Sequence, residues 1–272
     1  MRQLAGRVAV VTGGGSGIGR VTAERLAARG CHLALVDVSP GGLEESAALV
    51  RQAGVTVSTH VADVSDADRV AELPAEVVDA HGAVHVLVNN AGVTSAGAFA
   101  DEKLDDVRWM VGVNMWGVVH GCHAFLPALL EQDEAHIVNV SSMTGLLGLP
   151  HNAAYALTKG AVKSFTEGLR GELITTNVGV STIFPGTHRT NITSSARGAE
   201  GERIAKLGAS RMSALMPPPS RVAKAIVRAI EKDKPRMVVG PDARVLDLAA
   251  RLAPGRTGLV GRATSRVAAK GH

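Results

Sequence analysis

The chain has 272 residues, 46% of them hydrophobic, a formal net charge of +4 and two cysteines. That length and apolar content can bury a large core, as in an ordinary soluble domain, and α/β folds of this length often form one domain. No stretch of about 18 or more uncharged apolar residues is expected, and residues 1–6 lead almost directly into a strand, so neither a membrane span nor a signal peptide is predicted. Cys31 and Cys122 read as small buried hydrophobes of a cytoplasmic protein.

In chain order, residues 7–12 (Arg-Val-Ala-Val-Val-Thr) read as a buried strand, followed by Gly13-Gly14-Gly15-Ser16-Gly17-Ile18-Gly19 and a helical stretch to Arg29. Glycines serve where backbone must turn tightly and approach a pyrophosphate, which then rests on a helix amino terminus. A second strand, residues 32–37, ends in Asp37, placed to accept both hydroxyls of an adenosine ribose. Helices are predicted near 43–52 and 67–80, with strands near 55–61 and 84–89. A long helix over about 113–130 leads to a fifth strand ending at Ser142. Residues 152–175 form the next helix, residues 178–184 the sixth strand and 236–239 the seventh. This alternation predicts a single Rossmann-type domain: a doubly wound parallel α/β sheet of about seven strands with helices on both faces.

Tyr155 is the only tyrosine of the chain and stands four residues before Lys159. Four residues make about one helical turn, so phenol and ammonium share a face. A free phenol has a pKa of about 10, and a neighbouring cation favours phenolate, which suits a general acid/base acting on an alcohol or carbonyl. Ser142 lies thirteen residues earlier at a strand's carboxyl end, where ligands of parallel sheets bind. Its hydroxyl can donate to a substrate oxygen. A bare Tyr-x-x-x-Lys or a Ser-Ser turn is weak evidence by itself.

Together these motifs resemble the short-chain dehydrogenase/reductase family over about residues 5–240. The resemblance rests on Thr12-Gly13-x-x-x-Gly17-x-Gly19, Asn89-Asn90-Ala91-Gly92, Asn114, Ser142, Tyr155-x-x-x-Lys159 and Pro185-Gly186. It implies Tyr155 as general acid/base, Ser142 polarising the substrate oxygen, and Lys159 lowering the Tyr155 pKa while holding the nicotinamide ribose. It implies that Asn114 holds a water in a proton relay starting at Lys159, the bland alternative being an amide that bonds a helix kink. Gly13, Ser16, Gly17, Ile18 and Gly19 would receive the cofactor, Asp63 and Val64 its adenine. Asn90, Ala91 and Gly92 would line the cleft, and Pro185, Gly186 and Thr190 would bracket the nicotinamide.

Cofactor choice follows from charge. Asp37 would repel the 2′-phosphate of NADP, and neither Ser16 nor Val38 offers a compensating cation, although Arg20 lies one turn into the helix. NAD is the expected cofactor.

Residues 187–219 interrupt the alternation and end in Pro217-Pro218-Pro219. The resemblance makes them a lid over the substrate, closing with Ile192, Ile204, Leu207, Met212, Leu215 and Met216 on something apolar. Ser95, Met143, Leu149, His151, Asn152, Thr187 and His188 are expected to line the pocket. Residues 241–272 read as a basic extension, with Val245, Leu248, Ala249 and Leu252 at helical spacing. Packing on this or a neighbouring subunit is the expected role, and contact with an anionic membrane surface or an acidic carrier partner the alternative. Nucleic-acid binding is not expected, because the segment is short and poor in aromatics. His120 and His123 lack further ligands nearby in sequence, so no metal is expected.

The chemistry points to an NAD-dependent oxidoreductase acting on a small-molecule secondary alcohol or its ketone, in a homo-oligomer such as a dimer or tetramer. A 3-oxoacyl thioester reductase is the runner-up, although its usual NADP preference conflicts with Asp37. A non-catalytic NAD sensor would have no need of Asn114, Ser142, Tyr155 and Lys159 together.

Overall fold

Five consecutive buried residues, Val8–Thr12, form β1, and their side chains alternate between two cores. Ala9 and Val11 join one apolar cluster, Val8 and Val10 the other, as the period of two of a strand requires. β2 (His32–Asp37) repeats the pattern, with Leu33 and Leu35 on the first side and Ala34 and Val36 on the second. In the computed structural model, residues 1, 3–189, 192, 196–202, 206, 216–254, 258 and 262 are described.

The remaining strands are β3 (Val57–Val61), β4 (Val86–Asn89), β5 (Ala135–Val140), β6 (Val178–Pro185) and β7 (Arg236–Val239). They form one parallel seven-stranded sheet in the order β3-β2-β1-β4-β5-β6-β7. α1 (Gly17–Ala27), α2 (Pro40–Arg51) and α7 (Ser220–Lys232) cover one face, where Leu26, Leu43, Ile226 and Ile230 are fully buried. α3 (Ala67–His81), α5 (Gly117–Leu130) and α6 (Ala153–Glu172) cover the other with Leu73, Phe125, Leu129 and Val162. The direction of winding reverses between β1 and β4. That opens a crevice at the strands' carboxyl ends, the usual ligand site of such sheets. The predicted doubly wound single domain is the fold observed.

Three local expectations change. The long helix begins at Leu104, nine residues before the predicted start: α4 (Leu104–Met110) runs through a π-helical turn, Val111–Trp116, into α5. Asp105 and Asp106 sit in its first turn, where carboxylates complement the helix dipole. Second, the stretch Leu104–Leu130 is long and apolar enough to cross a membrane by length and composition, contrary to the expectation that no such run exists. Here it lies against the sheet, burying Val113, Val118, Cys122, Phe125 and Leu129. Third, the tail helix α8 (Pro241–Leu252) forms as expected, but Val245, Leu248 and Leu252 are exposed rather than packed on their own subunit.

One buried group makes folding sensitive to acid. His136 on β5 is 1% exposed, with its Nε2 2.8 Å from the Ser181 hydroxyl. Ser181 Oγ itself donates to the Lys234 carbonyl at 2.7 Å, so it accepts from a His136 Nε2–H. Burial pushes the His136 pKa down from 6.5 to about 4. The unfolded chain therefore takes up a proton that the folded chain refuses, and the linked stability, roughly 3 kcal/mol, is present above pH 6.5 and lost as pH falls through about 4. Melting temperature measured against pH should fall over this window, and His136→Gln should flatten that limb. Equal slopes in the two proteins would assign the acid sensitivity to another group.

Candidate active site

The crevice opens on the glycine-rich turn between β1 and α1. Gly13 has φ +65°, and a Cβ there would lie 2.8 Å from Asn90 Nδ2 and 2.9 Å from Ala91 Cα. A Cβ on Gly19 would fall 2.0 Å from the Gly13 carbonyl oxygen. Backbone thus occupies the space a side chain would take, and only glycine fits. Thr12 Oγ1 accepts from the N–H groups of Asn90 (3.0 Å) and Ala91 (3.1 Å), and Asn90 Nδ2 donates to the Thr12 carbonyl at 3.0 Å. These bonds clip the turn to the end of β4. The Ser16 side chain caps nothing, so the first turn of α1 faces the cleft with its free N–H groups.

At the end of β2, Asp37 accepts from the Gly15 N–H (2.9 Å) and the Ser39 N–H (3.0 Å), which holds its carboxylate at the rim. Arg20 is committed elsewhere: its guanidinium donates to Ser46 Oγ and Glu45 Oε2, both at 2.8 Å, and to the Gly15 carbonyl. Asp63 accepts from the Ser65 N–H and hydroxyl, and Val64 beside it is buried.

The catalytic candidates converge where α6 meets the end of β5. Ser141 Oγ donates to the Lys159 carbonyl at 2.7 Å, and Lys159 Nζ donates to the Val140 carbonyl at 3.1 Å. Gly145, in the 3-10 turn Met143–Gly145, packs so closely that a Cβ would lie 2.6 Å from the Lys159 carbonyl oxygen. Ser142 Oγ accepts from the Thr144 N–H at 3.2 Å, and Ser142 lines the same cavity as Tyr155. Lys159 Nζ lies 5.9 Å from the centre of the Tyr155 ring.

Burial decides the electrostatics of this pair. It pushes the Tyr155 phenol up to about 12, the nearby Ser142 hydroxyl pulling the other way, and pushes Lys159 down to about 8. The expectation that Lys159 lowers the Tyr155 pKa therefore does not hold for the protein without ligand. The ammonium is engaged by a backbone carbonyl, and desolvation outweighs its field.

Asn114, buried within the π turn, accepts from the Val93 N–H at 2.8 Å and donates to the Val93 carbonyl (2.9 Å) and Thr158 Oγ1 (3.2 Å). Both amide protons are thus used structurally, to tie the π turn to the segment after β4 and to α6. A Cβ on Gly92 would meet Asn114 Oδ1 at 3.2 Å and Lys159 Nζ at 3.5 Å, so both atoms face one small space beside that glycine.

Beyond β6, the Thr187 N–H donates to Asp242 Oδ2 at 2.6 Å, and a Cβ on Gly186 would collide with that carboxylate. His188 is 7% exposed. Its Nδ1–H donates to the Gly186 carbonyl at 3.0 Å, and its buried Nε2 has no hydrogen-bond partner among the described residues.

A cavity of 670 Å³ joins these groups. Of the expected site residues, Gly13, Ser16, Gly17, Ile18, Asp37, Asp63, Val64, Asn90, Ala91, Gly92, Ser142, Tyr155, Lys159, Pro185 and Gly186 all line it. Asn114 and Gly19 stand behind the wall, and Thr190 lies outside the described residues. Of the expected substrate-pocket residues, Thr187, His188, Ile192 and Met216 line the cavity; Ser95, Met143, Leu149, His151 and Asn152 do not. His151 pairs instead with Glu200 at 2.7 Å. Of the other expected lid members, Ile204, Leu207, Met212 and Leu215 lie outside the described residues. His120, weighed as a ligand, has its Nδ1 3.0 Å from the Val64 carbonyl.

The sequence reading missed Ser141, Gly145, Trp109 and Asp242. Ser141 was half of a visible Ser-Ser pair; the others carry no local signal.

Comparison with known proteins agrees with this geometry. The sequence profile described as "short chain dehydrogenase" matches residues 7–201. SadH of Mycobacterium tuberculosis is 37% identical over 257 residues, covering 93% of this chain and 92% of that protein. The Bos taurus protein named dehydrogenase/reductase SDR family member 7B is 33% identical over 91% of this chain and 78% of its own length. A short chain dehydrogenase/reductase from Burkholderia phymatum, crystallised in complex with NAD, is 33% identical. It superposes with a TM-score of 0.82 over 92% of this chain and 95% of its own. By motif, fold and site, the chain belongs to the short chain dehydrogenase family, and it is an oxidoreductase of that family.

Proposed function

We propose that this protein is an NAD-dependent oxidoreductase that interconverts a secondary alcohol and its ketone, with Tyr155 as general acid/base. The convergence of Ser142, Tyr155 and Lys159 on one face of the 670 Å³ cavity carries this reading. A nicotinamide dinucleotide fits the residues present. The Gly13–Gly19 cradle leaves backbone N–H groups for a pyrophosphate, Asp37 at the end of β2 lines the same cavity with its carboxylate, and the His188 Nε2, without a partner among the described residues, lacks a donor that a ligand would supply. The NAD-bound relative from Burkholderia phymatum supports the same choice. When bound, the oxidised dinucleotide supplies the acceptor for the hydrogen and electron pair that leave the carbinol carbon.

The chain's own residues manage the proton. In the oxidising direction, Ser142 bonds the substrate oxygen and the Tyr155 oxygen takes the hydroxyl proton; in the reducing direction the phenol returns it. Lys159 holds the nicotinamide ribose once it turns from the Val140 carbonyl. The space beside Gly92, faced by Lys159 Nζ and Asn114 Oδ1, suits one water that passes the proton onward. Asp63 and Val64 flank the adenine. Residues 185–188, fastened by Asp242, border the nicotinamide, and Thr190 follows them in sequence. Trp109, Ile192 and Met216 give the substrate end an apolar lining, which favours an apolar alcohol or ketone.

Tyr155→Phe keeps the ring's packing and removes the proton. Turnover of a secondary-alcohol substrate should fall by about 10²–10⁴-fold while NADH binding, read by fluorescence, survives. Retention of more than a tenth of the wild-type rate would remove Tyr155 from the role.

Cofactor choice is tested separately. Wild type should favour NAD over NADP in kcat/KM, because Asp37 repels a 2′-phosphate and Arg20 is committed to Ser46 and Glu45. Asp37→Ala with Val38→Arg should narrow or invert the ratio. A wild-type preference for NADP would contradict the role of Asp37.

A further inference from the structure

The cleft absorbs most of the chemistry-bearing side chains, but α8 remains unexplained. Val245, Leu248 and Leu252 on this helix are 67%, 57% and 75% exposed, while Ala243 on the opposite side is fully buried. At about 100° per residue, the three apolar side chains fall within roughly 60° of arc. Arg244 and Arg251 border the stripe along one edge by the same count. The helix's inward-facing acid is already neutralised: Asp247 accepts from Arg236 at 2.6 and 2.9 Å and from Arg251 at 3.1 Å.

Charge is distributed with the same polarity. Residues 236–272 hold seven Lys/Arg and two Asp, a net +5, so the other 235 residues carry −1 of the chain's +4. Arg251, Arg256, Arg262, Arg266 and Lys270 all follow Asp247, with no acidic residue after it.

We propose that α8 docks the protein on an anionic lipid surface, with Val245, Leu248 and Leu252 sunk at the headgroup boundary and Arg244 and Arg251 beside them. Three apolar side chains are few beside the roughly 20–30 residues a side of a stable protein interface. An interfacial helix needs only one apolar stripe, helped by cations that attract acidic headgroups. The basic flank selects an anionic surface over a neutral one.

The docked face is coupled to the active site. The amino end of α8 is fastened to the cleft rim through Asp242, which accepts from the Thr187 N–H at 2.6 Å. The whole helix spans 12 residues, about 18 Å, so docking sets the cleft mouth within that distance of the bilayer. A lipophilic alcohol or ketone dissolved in the bilayer would reach the cleft without crossing bulk water. This last point rests on the secondary-alcohol reading; the docking itself does not.

The test is co-sedimentation of the full chain, with neither cofactor nor substrate, on vesicles of phosphatidylcholine alone or mixed with phosphatidylglycerol. Binding to the mixed vesicles should exceed that to neutral vesicles at least tenfold and should drop by a similar factor in high salt, as screened charge requires. Leu248→Gln with Leu252→Gln, both at exposed positions, should lose binding at least tenfold while the melting temperature and NADH affinity are kept. Arg244→Glu should weaken binding to mixed vesicles and reduce its salt dependence. Failure of the wild type to sediment with mixed vesicles would overturn the proposal. So would undiminished binding by the Gln variant, or a dimer that the Gln variant loses when lipid binding is absent. Vesicle binding without alcohol turnover would leave the docking standing and remove the secondary-alcohol reading.

Discussion

Two hydrogen bonds hold the catalytic helix in place. Ser141 at the end of β5 donates its hydroxyl to the Lys159 carbonyl, and Lys159 returns its ammonium to the Val140 carbonyl one residue back along the same strand end. The clasp joins α6 to β5 within a buried layer, where the Ser141 hydroxyl and the Lys159 ammonium would otherwise go unsatisfied at a cost of about 1–3 kcal/mol each. Gly145 closes it from the third side, leaving no room for a Cβ. With α6 so fixed, Tyr155 one turn earlier has little choice of position, and it lines the same cavity as Ser142. The site is therefore a consequence of how a helix is tied to a strand, and its precision comes from buried polar satisfaction rather than from loop conformation.

The same burial sets the resting charge state. A phenol pushed up to about 12 and an amine pushed down to about 8 both lean toward their neutral forms in the protein without ligand. On the proposed mechanism, Lys159 would leave its backbone acceptor to hold the ribose of a bound dinucleotide, whose oxidised ring would supply a further positive charge. Both changes favour phenolate. Proton transfer would thus be coupled to cofactor binding, with the base appearing only when there is an acceptor for the electrons.

Much of this was legible in the sequence because the signals are local. The strand and turn around Gly13–Gly19, the acid ending β2 and the one-turn spacing of Tyr155 and Lys159 all depend on neighbours a few residues away. Alternation of strands and helices carried the rest of the fold. What escaped depends on contacts distant in sequence. Nothing near Asp242 says that it binds Thr187, 55 residues earlier, and nothing near Trp109 places it in the cleft. The π turn around Asn114 has no sequence mark beyond the residues it contains. The tail helix shows the limit of periodicity: its stripe was visible in the spacing, but whether a stripe is covered depends on what the fold sets beside it. The electrostatic expectation failed for a related reason. Proximity of Tyr155 and Lys159 could be read from spacing; the desolvation that outweighs it could not.

Because Tyr155 is the only tyrosine, the ultraviolet absorbance of tyrosinate reports this one group. Titrating the protein with and without NAD is the direct test of the central claim. The free protein should show tyrosinate only near pH 12, and saturating NAD should move its appearance down by roughly 1–3 units. A midpoint unchanged by NAD, or a free-protein midpoint at the ordinary value of about 10, would contradict the account.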